Sequence, residues 1–399
     1  MVRDALARIT VPGPGYTLRL DQPGGRRLAA GFTEDQEQFR EVVAKFLTDK
    51  SPTTAVRSLM ATDEGFDRVV WTQLSQEVGL AGTHIPEAYG GFGFGPVELG
   101  IIAEEMGRHL FCGPFFASSV MAAHAILNSG SEVQKETLLP GIASGSTLAT
   151  LVLDCLDDAD RVGEALQAGT GAATTVSGTA PMVLDALVAD LMVVAARAPE
   201  GLALYQVDPR TAGLVIEPLT SMDATRKLAR VTFNAAPAER LGDGAAHLHT
   251  LWQQMSTALA NEMVGGAQAV FDATIEYMKL RMQFGRPIGS FQALKHRCAD
   301  LLMELELARA AAHEAARVLA AGATDTHTPF MAKALASDAY MNIVKQGIQL
   351  RGGIGFTWEE DTHLWYKRAK SSEVFLGTSN WHREQMMQIL EATQEVAHG

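Results

Sequence analysis

Glu262 is the residue of this 399-residue chain whose setting most needs a chemical reason. It lies in the run Leu259-Ala260-Asn261-Glu262-Met263-Val264-Gly265-Gly266, and a carboxylate among such neighbours is costly to bury unless it is partnered or used. Use would mean accepting a proton, and partnership would mean a buried ion pair. A position on the exposed side of a helix is the third reading. Two later segments are dense in polar side chains and glycines. One runs Arg281-Met282-Gln283-Phe284-Gly285-Arg286-Pro287-Ile288-Gly289-Ser290-Phe291-Gln292; the other runs from Gln349-Leu350-Arg351-Gly352-Gly353 to Leu376-Gly377-Thr378-Ser379-Asn380. A lone arginine after a helix is ordinarily surface charge and a Gly-Gly pair ordinarily a turn, so neither segment alone defines a site. Glu373, His296 and His382 complete the titratable candidates; the imidazoles titrate near neutrality, with structural or surface roles as the simpler reading.

The elements that must position these residues change character along the chain. Residues 1–31, with a Pro- and Gly-rich stretch at 11–27, read as a flexible leader without the apolar core of a signal peptide. Residues 32–145 form a helical domain: Thr33 is the expected N-cap and Gln36 the third helical position, and helices follow at 66–77, 97–108, 118–127 and 132–142. The glycine-dense segment 78–93 reads as a structured loop. Residues 146–240 carry short β-type runs at 148–153, 173–176, 191–195, 202–207 and 229–233, which predict a β-barrel or sandwich domain. From 241 to 399 long Ala-rich helices return, with one apolar face kept from Leu248 to Met278, as in a close-packed four-helix bundle with an oligomer interface. The fold class is therefore α+β multidomain.

Composition excludes more than it specifies. A formal charge of -13 argues against a nucleic-acid partner. Three dispersed cysteines show no metal spacing and suit a reducing, cytoplasmic compartment, and no apolar run is long enough to span a membrane.

The order helical domain, β domain, helical bundle resembles the acyl-CoA dehydrogenases, and the resemblance runs from about residue 32 to the end. Its N-terminal signature is Gly79-Leu80-Ala81-Gly82 continuing through Pro86-Glu87-Ala88-Tyr89-Gly90-Gly91-Phe92-Gly93, followed by Glu104-Glu105-Met106-Gly107-Arg108. The resemblance implies FAD as cofactor. It places Arg281 on the FAD pyrophosphate, where a fixed guanidinium fork suits phosphate oxygens. It lays Phe284 against the cofactor and Gln292 on its adenine side. Gln349, Gly352 and Gly353 would let backbone approach the dinucleotide of a neighbouring subunit, and Thr378, Ser379 and Asn380 would contact cofactor near a helix start.

Three departures stand against that pattern. The family's T-E-P-x-x-G-S-D segment has no counterpart, and Ala149-Thr150-Leu151-Val152-Leu153-Asp154-Cys155 stands there. Met182-Val183-Leu184-Asp185-Ala186 replaces the family's W-I-T-N-G. The catalytic glutamate expected before Gly-Thr-Ser is Leu376, and the alternative base position on the long helix aligns with Met255. Glu262, seven residues or roughly 10 Å further along that helix, is then the candidate base, with Glu373 behind it. The Leu376 backbone N–H could still serve as half of the thioester oxyanion site.

The resemblance thus implies an oxidoreductase that converts an acyl-CoA to its trans-2-enoyl-CoA in fatty-acid or steroid side-chain breakdown. Its electrons would pass to an electron-transfer flavoprotein, and the assembly would be a homo- or hetero-oligomer, dimer or tetramer. The alternative is a non-catalytic or half-site subunit of a heteromeric acyl-CoA dehydrogenase. A flavin oxidase or monooxygenase of the same fold is a third reading with little in the sequence to favour it. No metal is expected.

Overall fold

The computed structural model describes residues 31–170, 174–242, 247–324 and 326–398; the leader expected at 1–31 lies almost wholly outside them. Helix α1 (Glu34–Lys50) opens with the expected capping box: Gln36 N–H donates to Thr33 Oγ1 at 3.2 Å and Thr33 N–H to Gln36 Oε1 at 3.0 Å. Helices α2 (Thr53–Met60), α3 (Arg68–Thr72), α4 (Pro96–Arg108), α5 (Ala123–Ser129) and α6 (Glu132–Ala143) complete the N-terminal domain. The single helix expected at 66–77 is capped by Asp67 and passes after Thr72 into a π-helical turn, Gln73–Glu77; a second π-helical run, Phe116–Ala122, leads into α5. Such widened turns are invisible to a 3.6-residue pattern.

The middle domain is one sheet in the order β6 (Leu214–Leu219), β7 (Leu228–Pro237), β3 (Thr174–Leu184), β2 (Gln167–Thr170), β4 (Leu191–Ala198), β5 (Gly201–Val207), β8 (Glu239–Arg240), with β1 (Ala149–Val152) added in parallel to β4. All five β-type runs of the sequence overlap strands, β1, β3, β4, β5 and β7, with residue 173 of the second run outside the described residues. The sequence reading missed β2 (Gln167–Thr170), β6 (Leu214–Leu219) and β8 (Glu239–Arg240). Strand β6 carries Pro218 and Glu217 and alternates between half-buried and exposed, the signature of an edge rather than a core strand. Period-two alternation gives the sheet two apolar faces. Met192, Val194 and Ala196 join Tyr205 and Phe233 in the domain's own core, while Leu191, Val193 and Ala195 join the core shared with the helices.

Helix α7 (Leu248–Leu280) leads into the hairpin β9 (Met282–Gln283) and β10 (Arg286–Pro287), then α8 (Gln292–Ala320), α9 (Thr328–Arg351), α10 (Thr362–Val374) and α11 (Ser379–His398). Two glycines bring α4 and α7 into backbone contact. A Cβ on Gly107 would stand 1.8 Å from the carbonyl oxygen of Glu262, and one on Gly265 would stand 1.7 Å from that of Glu104. This close approach fixes Glu262 where the three domains meet. No helix among the described residues is long and apolar enough to cross a membrane.

Candidate active site

Glu262 is buried at 6% exposure, and it is partnered. Its Oε1 accepts from Arg226 Nη2 at 2.5 Å and from Arg368 Nη1 at 2.9 Å. Arg226 comes from the loop before β7, and its guanidinium also reaches Ser372 Oγ at 3.0 Å. Arg368 comes from α10 and is held by Asp223 Oδ2 at 3.2 Å and Thr225 Oγ1 at 2.6 Å. Burial opposes the charge on Arg368, yet Asp223 and Glu262 outweigh it and raise its pKa. Of the two readings open for a buried Glu262, the geometry supplies the ion pair. Abstracting a proton with Oε1 would first require breaking two charge-assisted contacts.

The cluster borders a cavity of about 20 Å³ lined by Met106, Phe111, Phe116, Leu184, Asp185 and Arg226 among others. That volume holds about one water. Asp185 enters the site at the end of β3 in a left-handed conformation, φ 53°, uncommon for a residue other than glycine. Burial raises its carboxyl to about 7, against the pull of Arg226 and Arg368. The sequence singled out Glu262, but not the arginines that hold it. A signal did exist, since a carboxylate predicted to be buried demands cationic partners. It could not say which of the many arginines the fold would bring.

Leu376 is fully buried with φ 61°, and its N–H, the candidate oxyanion donor, gives its hydrogen to Leu156 O at 2.7 Å. Leu156, the residue directly after the segment standing in for the missing middle-domain motif, is thus bonded to the loop that carries the usual base position. Trp381 continues the seal, its Nε1 donating to Asp158 Oδ1 at 3.3 Å, while Trp252 Nε1 donates to Leu376 O at 3.0 Å. Beneath the loop the fully buried Lys333 donates to Ser337 Oγ at 2.9 Å and to the carbonyls of Gly377 at 3.3 Å and Glu373 at 3.5 Å. Burial lowers Lys333 to about 7, with Glu373 pulling the other way. His382 is buried, and burial, then the charge of Lys333, hold it well below its ordinary range against a backbone hydrogen bond at Leu376. Glu373 faces Lys370 at 2.5 Å, and His296 is exposed.

The remaining candidates sit elsewhere. Arg281 and Gln292 are exposed, and Phe284, at φ 52°, is 89% exposed on the β9–β10 hairpin. Gln349 is exposed at the end of α9, and Gly352 and Gly353 have nothing within 4 Å of where a Cβ would stand. Thr378 and Ser379 start α11, where Ser379 Oγ donates to Asp338 Oδ1 at 2.7 Å and Asn380 is exposed. The structure therefore separates the candidates into a closed inner group (Glu262, Leu376) and an open outer group on the surface of the bundle.

A curled sheet between two helical domains, with a long central helix carrying the buried acid, defines a multidomain flavoenzyme fold. The comparisons agree. The acyl-CoA dehydrogenase N-terminal domain matches residues 33–146 and the acyl-CoA dehydrogenase C-terminal domain residues 242–391. The acyl-CoA dehydrogenase IpdE2 of Mycobacterium tuberculosis is 34% identical over 347 residues, 86% of this chain and 93% of that protein. FadE34 of the same organism is 33% identical, covering 89% of this chain and 48% of its own length. Among solved structures, a variant of the Tcur3481-Tcur3483 steroid ACAD matches with a TM-score of 0.83 at 30% identity, covering 91% of this chain and 99% of that one. The ChsE4-ChsE5 complex from Mycobacterium tuberculosis matches with a TM-score of 0.82 at 26% identity, covering 91% and 98%. The chain belongs to the acyl-CoA dehydrogenase family, FAD-dependent oxidoreductases.

Half of an FAD site fits this chain. The exposed Arg281, Phe284, Gln292 and Gln349 and the open Gly352–Gly353 backbone offer a cation, an aromatic face and close approach to a dinucleotide. The inner half does not fit. Leu156 is bonded to Leu376, and the cavity beside Leu184 has room for about one water, not a three-ring flavin.

Proposed function

We propose that this chain is a half-site subunit of a hetero-oligomeric acyl-CoA dehydrogenase. It supplies the outer cradle for the dinucleotide of a partner chain, and the partner supplies the base for α,β-dehydrogenation of the acyl-CoA. The observation that carries this reading is the Leu376 loop. The usual base position is an apolar side chain whose N–H is already bonded to Leu156 O. The buried acid of the long helix, Glu262, is shared by two guanidiniums. Two of the similar solved structures are named as pairs of proteins, Tcur3481-Tcur3483 and ChsE4-ChsE5, and the first is called a steroid ACAD. On that basis the substrate class is a steroid-derived acyl-CoA. Electrons leave to an electron-transfer flavoprotein in the cytoplasm, a compartment in keeping with three free cysteines.

The test is to purify the chain alone, record its visible spectrum, and add a panel of straight-chain, branched and steroid-derived acyl-CoAs without oxygen. Protein without a flavin band, inert to every thioester, is the expected result. A yellow protein bleached by an acyl-CoA, with Glu262→Gln yellow but unbleached, would instead make the chain an independent dehydrogenase with a relocated base.

A further inference from the structure

A fully buried lysine needs a reason, because an ammonium without water is costly unless charge or hydrogen bonds replace it. Lys333 is 0% exposed, on the face of α9 that meets the Leu376 loop. Its Nζ has three partners: Gly377 O at 3.3 Å, Glu373 O at 3.5 Å and Ser337 Oγ at 2.9 Å. None of the three is a carboxylate oxygen. Of the charged groups that act on it from the surrounding elements, Glu373 of α10 and Asp338 of α9 favour the ammonium, and Arg226 from the loop before β7 opposes it. His382 of α11 also feels its charge. Burial outweighs the favourable pair and lowers Lys333 to about 7. The partners suit a neutral amine. Its two N–H groups match the two carbonyls, and its lone pair accepts from the Ser337 hydroxyl, whose other acceptor is the weak thioether of Met263 at 3.9 Å.

The turn these contacts hold is an uncommon one. Leu376 has φ 61° and Gly377 φ 102°, the first a conformation leucine rarely adopts. The Leu376 N–H is taken by Leu156 O at 2.7 Å and the Leu376 carbonyl by Trp252 Nε1 at 3.0 Å. The Gly377 carbonyl has Lys333, and α11 begins two residues later at Ser379. We propose that Lys333 is the positioning residue of this turn, and that it holds the turn closed as a neutral amine. A proton added to Lys333 then favours any state in which the turn lifts and water reaches the ammonium, so acid opens the turn and frees the Leu376 N–H. The sign follows from the two states. A hydrated lysine binds its proton below about 10.4, whereas in the closed turn Lys333 does so only below about 7. Closure is therefore strongest at high pH, weakens as pH falls and levels off below about 7. The proposal does not depend on the half-site reading, because it concerns the backbone of the turn and not the source of the base.

The test follows hydrogen exchange of the Leu376 amide in the purified full chain by fragmentation mass spectrometry. An amide inside helix α1 of the N-terminal domain, in the same sample, serves as reference, so that the intrinsic pH dependence of exchange cancels. Protection of Leu376 relative to α1 is expected to fall about ten-fold from about pH 8 to about pH 6. Lys333→Met has no proton to gain and no donor for Gly377 O. It is expected to show a flat profile, with protection below the parent's value at about pH 8. Parent-like exchange in α1 and in the interior of α9 confirms that the variant folds. A lysine that only fills space predicts no pH dependence confined to the turn. Parent protection that is flat, or that rises toward acid, overturns the proposal, and that result needs no variant. So does a Lys333→Met chain that keeps the pH profile, or one whose turn is as protected as the parent's at the higher pH.

Discussion

Replacing Glu262 by glutamine separates the ion-pair reading from the catalytic one. The substitution keeps the shape of the side chain and removes its charge, leaving Arg226 and Arg368 both buried, with Asp223 still paired to Arg368 alone. At contact distance and an effective dielectric near 20, each lost attraction is worth about 4 kcal/mol before the retained hydrogen bonds and relaxation are allowed for. Breaking a buried pair by removing one partner costs about 3–5 kcal/mol in measured cases, and we take that as the net loss. Unfolding entropy near 2.1 cal/mol/K per residue gives about 0.8 kcal/mol/K for 399 residues. The expected fall in melting temperature is therefore about 4–6 °C if the domains unfold together. Differential scanning calorimetry at pH 7.5 reads it directly, with Arg226→Met as the reciprocal change. The reasoning is refuted if Glu262→Gln melts within about 1 °C of the parent, because the carboxylate would then not be compensating two buried cations.

Three other expectations follow from the site. Asp185, raised to about 7 by burial, binds a proton in the folded chain that the unfolded chain, at about 3.9, gives up. Folding stability is therefore lost as pH climbs from about 4 to 7, by at most about 4 kcal/mol. Denaturation of Asp185→Asn across that interval should lack this component, and parallel pH curves for the two proteins would contradict the assignment. Leu376→Glu should not restore a dehydrogenase, because it places a charge in a fully buried position at φ 61° whose backbone N–H is taken; its melting curve should drop, and bleaching of a bound flavin by an acyl-CoA would show that the loop can open. Gly265→Ala would put a methyl 1.7 Å from the Glu104 carbonyl oxygen and force α4 from α7, so a destabilisation above about 3 kcal/mol is expected in calorimetry, whereas Gly285→Ala meets no neighbour within 4 Å and should cost only the strain of φ 75°.

Much of the architecture was legible because the patterns that carry it are local. The Thr33 and Gln36 capping pair, the near-continuous apolar run of strand β4 and the apolar face of α7 each announce themselves within a dozen residues. Edge strand β6 and the π-helical turns did not, because half-exposed or widened backbone leaves no clean period. The outer cofactor candidates were read as three short motifs, and Arg281, Phe284, Gln292, Gln349, Gly352, Gly353 and Asn380 are exposed. The inner site was only half visible. Glu262 stood out by its apolar setting, but Arg226 and Arg368 lie 36 and 106 residues away in sequence and reach it only through the fold. The bond from Leu376 N–H to Leu156 O could not be read from the sequence, since backbone donors carry no residue signature.

The flavin content of the assembled enzyme tests the central claim most directly. Co-expression with a second chain of the family that carries the base, followed by flavin extraction, should give one FAD per pair of unlike chains. Arg281→Ala in this chain should then lower retention of that FAD. One FAD per copy of this chain purified alone, reduced by an acyl-CoA, would contradict the half-site account.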